Sequence, residues 1–505
     1  MKRFSIVMTI LLVSVFLLSH SRAGEMRTWR SGKYSVKGEF VELSDDGDFV
    51  KIRKDDGKLV RVPLARLSQE DQDYVNKTQS AFVEDEETDE DNEANKSEKN
   101  VKPAAKVKQE TPVGPPTPLT SFKIEGTKLV KFIGSEKDVV IPSNIMEIGN
   151  YAFENSRYLN SVVIPPSVKA IGKCAFSGCQ FLTSATISKG VTVIPYALFN
   201  GCGNLTSVEL PEGITVIGED AFYGCNSLKA IEIPEGVKRI GNEAFRNCSS
   251  ITTVTIPKGV EIVEYNAFIG CSSLKSVVIS EDVTEIESYV FENCGSLQAV
   301  EIGDGIKKIG KCAFSGCRFL TSVKIPKGVT VIPYGLFNGC RNLTSVELPE
   351  GLTVIGEDAF YGCNSLKVIE IPEGVKRIGN EAFRNCSSIT TVTIPKGVEI
   401  VEYNAFIGCS SLKSVVISED VTEIESYVFE NCGSLQTVEI GDGIKKIGKC
   451  AFSGCRFLTS VKMPDSILEI GSDAFKGCTN LTITAPAGSK AAQYAEKAGI
   501  AFKAQ

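Results

Sequence analysis

The stretch that decides the fold runs from residue 205 to 225: Leu205-Thr-Ser-Val-Glu-Leu-Pro-Glu-Gly-Ile-Thr-Val-Ile-Gly-Glu-Asp-Ala-Phe-Tyr-Gly-Cys225. Val208 and Leu210 flank Glu209, an alternation that sets two apolar side chains on one side of a short strand. Pro211 ends that strand, because proline has no N–H for a ladder. Ile214 and Ile217 turn inward again in a second short extended piece. Gly213 and Gly218 allow the bends on either side of it, and Ala221, Phe222 and Cys225 close the coil.

The same pattern recurs in step. Phenylalanine stands at 153, 176, 199, 222, 245, 268, 291, 314, 337, 360, 383, 406, 429, 452 and 475, always 23 residues apart. A single 23-residue coil cannot hide this apolar set from water, so the pattern predicts stacked coils, each phenylalanine on the next. A longer period lies over it: Ile171-Gly-Lys-Cys-Ala-Phe-Ser-Gly-Cys returns at Ile309 and Ile447, 138 residues or six coils apart. Residues 171–308 and 309–446 differ at nine positions.

The pieces Leu-x-x-Val-x-Leu-Pro, Ile-x-x-Ile-Gly and Ala-Phe-x-x-Cys resemble the BspA-like (Treponema-type, LRR_5) leucine-rich repeats over about residues 119–505. The resemblance implies a repeat solenoid of about 15 coils over 119–484 with a C-terminal cap over 485–505. Within the cap a short helix is expected from Lys490 to Lys497, followed by a final extended piece. In some members the family also implies adhesion or matrix-type protein recognition.

Residues ahead of the repeats read differently. Lys2 and Arg3 precede an apolar run from Ile6 to Leu18, and Ser21-Arg22-Ala23 supplies small residues at a cleavage site. That is the pattern of a secretory signal over 1–23. The run is shorter than the ~20 residues that cross a bilayer, so no membrane span is expected after cleavage, and the product is expected to be exported to the periplasm, cell surface or extracellular space. Residues 24–79 predict a small β module: Lys33–Leu43, Phe49–Arg53 and Leu59–Val62 alternate, Asp55-Asp56-Gly57-Lys58 suits a hairpin turn, and Ser68 with Asp71 forms a capping box for a helix to about Lys77 with Tyr74 and Val75 inward. Arg27-Thr28-Trp29, Gly32-Lys33-Tyr34, Val62-Pro63-Leu64, Leu67-Ser68 and Asp73-Tyr74-Val75 resemble the SLA1 homology 1 (SHD1) domain, which implies a small SH3-like β fold and a loose protein-binding role. Trp29 and Tyr34 are expected in its core. Residues 80–118 hold Glu84-Asp85-Glu86-Glu87, Asp89-Glu90-Asp91 and five prolines, and read as a solvated acidic and Pro-rich linker.

Composition excludes several chemistries. The one histidine, His20, lies in the segment expected to be removed, so no His-based triad, metal site or general base is expected. A net charge of −7, or −10 without Lys2, Arg3 and Arg22, opposes nucleic acid. No cofactor and no metal are implied. Fourteen of the 17 cysteines follow the marker phenylalanine by three residues and predict a ladder of buried, unpaired thiols. Cys174, Cys312 and Cys450 stand two residues before phenylalanine, in a column where other coils carry Asp220, Glu243 or Asn266, and are expected to be exposed.

The outward column of the first strand holds Glu209, Glu232, Thr255, Glu301, Lys324, Glu347, Glu370 and Thr393, mixed with Val163, Val278 and Val416. On the expected concave sheet face this column is the candidate surface for a protein or glycan ligand. A structural spacer in an envelope assembly is the alternative. A carbohydrate-active enzyme is a second, with Glu209/Glu232 and Glu347/Glu370 as carboxylate pairs on adjacent strands. Protein recovered from outside the cytoplasm should begin at Gly24 on N-terminal sequencing; an intact Met1 there would overturn the cleavage reading.

Overall fold

The structure is a computed structural model and describes residues 27–31, 34–43, 49–54, 59–63, 67–72 and 115–505. The chain divides into two compact units, 1–108 and 109–505. The expected signal segment, the 55–58 turn, Tyr74, Val75 and nearly all of the linker lie outside the described residues.

In the first unit, β1 (Arg27–Ser31), β2 (Tyr34–Leu43), β3 (Phe49–Lys54) and β4 (Leu59–Pro63) form an antiparallel sheet in chain order. β1 is a strand that alternation alone does not mark, and β2 bulges between Phe40 and Glu42. Trp29 on β1 is buried together with Val50 and Ile52 of β3. The Ser68 hydroxyl donates to the Asp71 carboxylate at 2.8 Å and accepts from the Asp71 amide at 3.3 Å. The capping box therefore forms at the start of a helical turn over 69–72.

The second unit is a solenoid of coils wound 23 residues apart. Most coils lay one strand in a first parallel sheet, such as Ser207–Glu209, and each lays a two-residue strand in a second, such as Val216–Ile217. Register is fixed by the period: Thr255 faces Val278 and Val278 faces Glu301 on the first sheet, while Val216 faces Arg239 and Arg239 faces Ile262 on the second. An antiparallel hairpin, Phe122–Glu125 with Lys128–Phe132, closes the N-terminal end. At the other end stand the cap helix, Lys490–Ala498, and the strand Ala501–Ala504. Ser489 caps that helix at its start, and Gly499 ends it at φ 68°.

The turn between the second sheet and the next coil carries the densest order. The residues two before and two after each marker phenylalanine have positive φ throughout, for example Asp220 (56°) and Gly224 (69°). The later position is Asn or Gly in all fifteen coils, the residue types that reach this region most cheaply. The earlier position takes Tyr, Cys, Ala, Asp, Glu, Asn or Gly. Gly218 does not have positive φ; a Cβ there would meet the Ile194 carbonyl oxygen at 2.8 Å, so it is needed for close backbone approach between coils. The alternating conformation aims three amides at the next coil. The Asp220, Phe222 and Gly224 N–H groups donate to the Asn242, Ala244 and Arg246 carbonyls at 3.0, 2.8 and 2.8 Å.

Inside this turn the rings of the fifteen marker phenylalanines stack at 4.8–5.9 Å between centroids. Phe132 continues the stack at the hairpin, 5.1 Å from Phe153, and Tyr494 ends it edge-on, 6.1 Å from Phe475. The fourteen thiols three residues after each phenylalanine from Phe176 onward are buried, and each donates to the carbonyl of the phenylalanine one coil earlier; Cys317 to Phe291 at 3.2 Å is one case. Replacing Phe314, which touches rings on both sides, by Ala should cost about 3–5 kcal/mol in urea unfolding of the full chain. Phe475→Ala, at the end of the stack, should cost less; equal costs would contradict a nearest-neighbour stack.

Candidate functional site

The first sheet's outward column is placed as the alternation predicts. Glu209, Glu232, Thr255, Glu301, Lys324, Glu347, Glu370 and Thr393 are all exposed, while their inward neighbours such as Val254 and Val392 are buried. Val278 and Val416 interrupt the polar column, and Lys324 pairs with Glu347 across adjacent strands at 2.9 Å. Hydrogen bonding to Glu347 raises the Lys324 pKa.

The adjacent-strand pairing of carboxylates does not hold. Glu232 and Glu370 lie on coils whose first-sheet segments form no strand, so Glu209 has no ladder partner at 232 and Glu347 none at 370. The break coincides with two like-charge oppositions per junction, Glu209 with Glu232 and Glu212 with Glu235, repeated as Glu347 with Glu370 and Glu350 with Glu373. Like charges directly opposite one another disfavour strand pairing. The inward residues there are slightly exposed, Val346 at 8% and Ile371 at 9%, against 2% or less for Val254 and Ile256. At the second junction the opening forms a groove of about 720 Å³ lined by Lys324, Glu347, Glu350, Val368, Glu370 and Glu373. Val368 is 54% exposed at its edge. The groove is acidic, with one apolar wall and one lysine, and offers hydrogen-bond acceptors to a ligand carrying donors or positive charge.

The expected exposure of Cys174, Cys312 and Cys450 is not found: each is only 8% exposed. Their column is the left-handed position before the phenylalanine, and the backbone there turns the side chain onto the neighbouring coil. The Cys312 sulfur lies 2.8 Å from where a Cβ on Gly335 would stand. Burial pushes the Cys312 thiol up to about 11 and raises Cys174 and Cys450 as well, which makes all three poor nucleophiles at neutral pH. Among the described residues no group of three or more His, Cys, Asp or Glu side chains could hold a metal ion.

Sequence reasoning missed the outward face of the second sheet. Val193, Ile262, Val331 and Ile400 are exposed there, each with a tyrosine three residues on: Tyr196, Tyr265, Tyr334 and Tyr403. Tyr265 meets Tyr289 edge-on at 5.5 Å, Tyr403 meets Tyr427 at 5.3 Å, and Arg246 and Arg384 lie over the rings of Tyr223 and Tyr361. Between them Arg239 and Arg377 make two-point ion pairs with Glu264 and Glu402. The available signal was tyrosine three residues before the marker phenylalanine in every third coil.

Asp358 sits in this face at φ 55°. Burial, and then the nearby charge of Glu381, raises its pKa above the usual carboxylate value. A raised folded-state pKa means the penalty for charging is absent below the unfolded value and grows as pH rises through the folded one. Asp358→Asn should therefore stabilise the protein by roughly 0.5 kcal/mol at pH 7. The gain should vanish below about pH 4, the unfolded range. Urea midpoints at the two pH values check this; a gain of equal size at both would refute the electrostatic cause.

Comparison with known proteins places this geometry. The BspA type leucine-rich repeat region matches over 131–482 in overlapping stretches, and SLA1 homology domain 1 matches residues 19–82. A leucine-rich repeat protein from Bacteroides ovatus is 31% identical, covering 75% of this chain and 94% of that one, with a TM-score of 0.59. A leucine rich cell surface protein from Faecalibacterium prausnitzii is 24% identical over 76% of this chain and 92% of that one, with a TM-score of 0.29. No curated protein matches.

Proposed function

Given that the chain belongs to the BspA type leucine-rich repeat family, we propose that it is an exported, non-catalytic recognition protein that holds a protein or glycan ligand on the outward face of its first sheet. The observation that carries this reading is the groove at the second junction. It gathers Lys324, Glu347 and Glu370 of the predicted column with Glu350, Glu373 and exposed Val368. A rigid periodic sheet holds such groups in place at little entropic cost, and preorganisation of that kind converts modest contacts into affinity.

The glycosidase reading fits less well. It needs two carboxylates held at fixed spacing about a scissile bond, and the first-sheet segments that carry Glu347 and Glu370 are not paired with one another. No described helix is long and apolar enough to cross a membrane, and the signal-like N-terminus supports export.

The test is capture of ligand from envelope extract, with a glycan array in parallel, by the full mature chain and by a Glu347→Ala, Glu350→Ala, Glu370→Ala variant. The variant should retain its fold, since all three side chains are exposed, and lose at least about tenfold in affinity, or ~1.4 kcal/mol. Ligand retained unchanged by the variant would remove the groove from the site. No ligand at all would favour the spacer role.

A further inference from the structure

In each of the fourteen coils marked by Phe153 to Phe452, three backbone amides around the phenylalanine donate to the next coil. The last such set is Cys450 to the Ser472 carbonyl at 3.1 Å, Phe452 to Ala474 at 2.8 Å and Gly454 to Lys476 at 2.7 Å. In the coil that follows, the same donors are Asp473, Phe475 and Gly477. The cap helix crosses in front of them in place of another coil. Only the Phe475 amide finds a described partner, the Tyr494 hydroxyl at 3.4 Å.

Asp473 and Gly477 line a cavity of about 1120 Å³ between this last coil and the cap helix. The second sheet also ends there. Its last strand, Glu469–Ile470, pairs only with the coil before it. Ile470 is half-buried, whereas its equivalents Ile424 and Ile447 are 1% and 0% exposed. Lys476, Lys490 and Lys497 line the cavity against two carboxylates, Glu469 and Asp473, leaving one net positive charge.

We propose that this cavity captures the C-terminal end of an extended peptide. Its main chain would continue the second sheet along Glu469–Ile470, and its terminal carboxylate would be received by the Asp473 amide within the cavity that the lysines line. Three features select this occupant. The open edge offers parallel ladder positions, and a backbone N–H in a lysine-lined cavity suits a terminal carboxylate. A segment running parallel to the coils arrives at the amides with its C-terminus; the reversed direction would bring an ammonium group to amides and lysines. Tyr494 occupies the Phe475 donor, so a segment entering beside Ile470 has to stop near Asp473, which a chain end does and an internal segment does not. The site is distinct from the first-sheet face and does not depend on that reading.

The probe is acetyl-Ile-Leu-Glu-Ile-Gly-Ser, the sequence of residues 467–472, because the Ser472 carbonyl holds the equivalent place on the Cys450 amide. It is titrated against the full mature chain by calorimetry as the free acid and as the C-terminal amide, with inorganic sulfate as a third arm. The free acid should bind at least about tenfold more tightly than the amide, weaken with added salt, and lose about tenfold on Lys497→Glu or Lys476→Glu. Melting temperatures report whether these variants fold, and the acid-against-amide comparison stands on the unaltered chain if they do not. Equal binding of acid and amide, or no binding of either, overturns the proposal. So does sulfate binding with the same lysine dependence while the peptide fails to compete, which would mark a simple anion site.

Discussion

A coil of this protein can hide its phenylalanine ring and satisfy the three amides around it only against a copy of itself. The residues that flank the ring adopt left-handed backbone on both sides, and this rotates alternate amides to point along the solenoid axis. Ring stacking, thiol donation to the preceding carbonyl and the two parallel sheets all follow once consecutive coils share that turn. A one-residue insertion would misalign every one of these ladders at once, which explains why fourteen intervals are kept at 23 residues when the surface composition varies.

Much of this was legible in the amino-acid string. The phenylalanine period gives the solenoid and the Val208–Glu209–Leu210 alternation gives the first strand. Ser68 with Asp71 and the Lys490 helix are likewise local signals, and they appear where the local chemistry puts them. What could not be read depends on relations between coils. The break beside Glu232 and Glu370 comes from charges that meet only after stacking, and treating each coil as an ideal strand misses it. The burial of Cys312 depends on a left-handed backbone in a column of varied composition, and variety of residue type does not reveal which way that backbone turns the side chain. The tyrosine face was overlooked because its exposed Ile262 and Ile400 belong to two-residue strands too short to show alternation, and its tyrosines lie in the turns that follow.

The two faces differ in chemistry as well as position. The first carries a mixed charged column and an acidic opening; Lys324 pairs there with Glu347, and in the preceding block the uncharged Thr186 stands in place of that lysine. The second carries rings braced by arginine–glutamate pairs that recur nearly unchanged six coils later. Block duplication copied both faces. Three of the nine later differences, at 180/318, 186/324 and 203/341, each add a cation to the second copy. The two copies therefore present different electrostatic surfaces on the same scaffold.

The 138-residue repeat bears on inheritance as much as on folding. Ile171, Ile309 and Ile447 mark equivalent points in the coil array, so an unequal crossover between successive points would delete or insert six whole coils and leave every ladder joined to a matching neighbour. The molecule can thus be lengthened or shortened by steps of about 30 Å, six coils at roughly 5 Å each, with no intermediate that fails to fold. Reach becomes a trait that a lineage can adjust in single genetic events, independently of whatever the two ends hold.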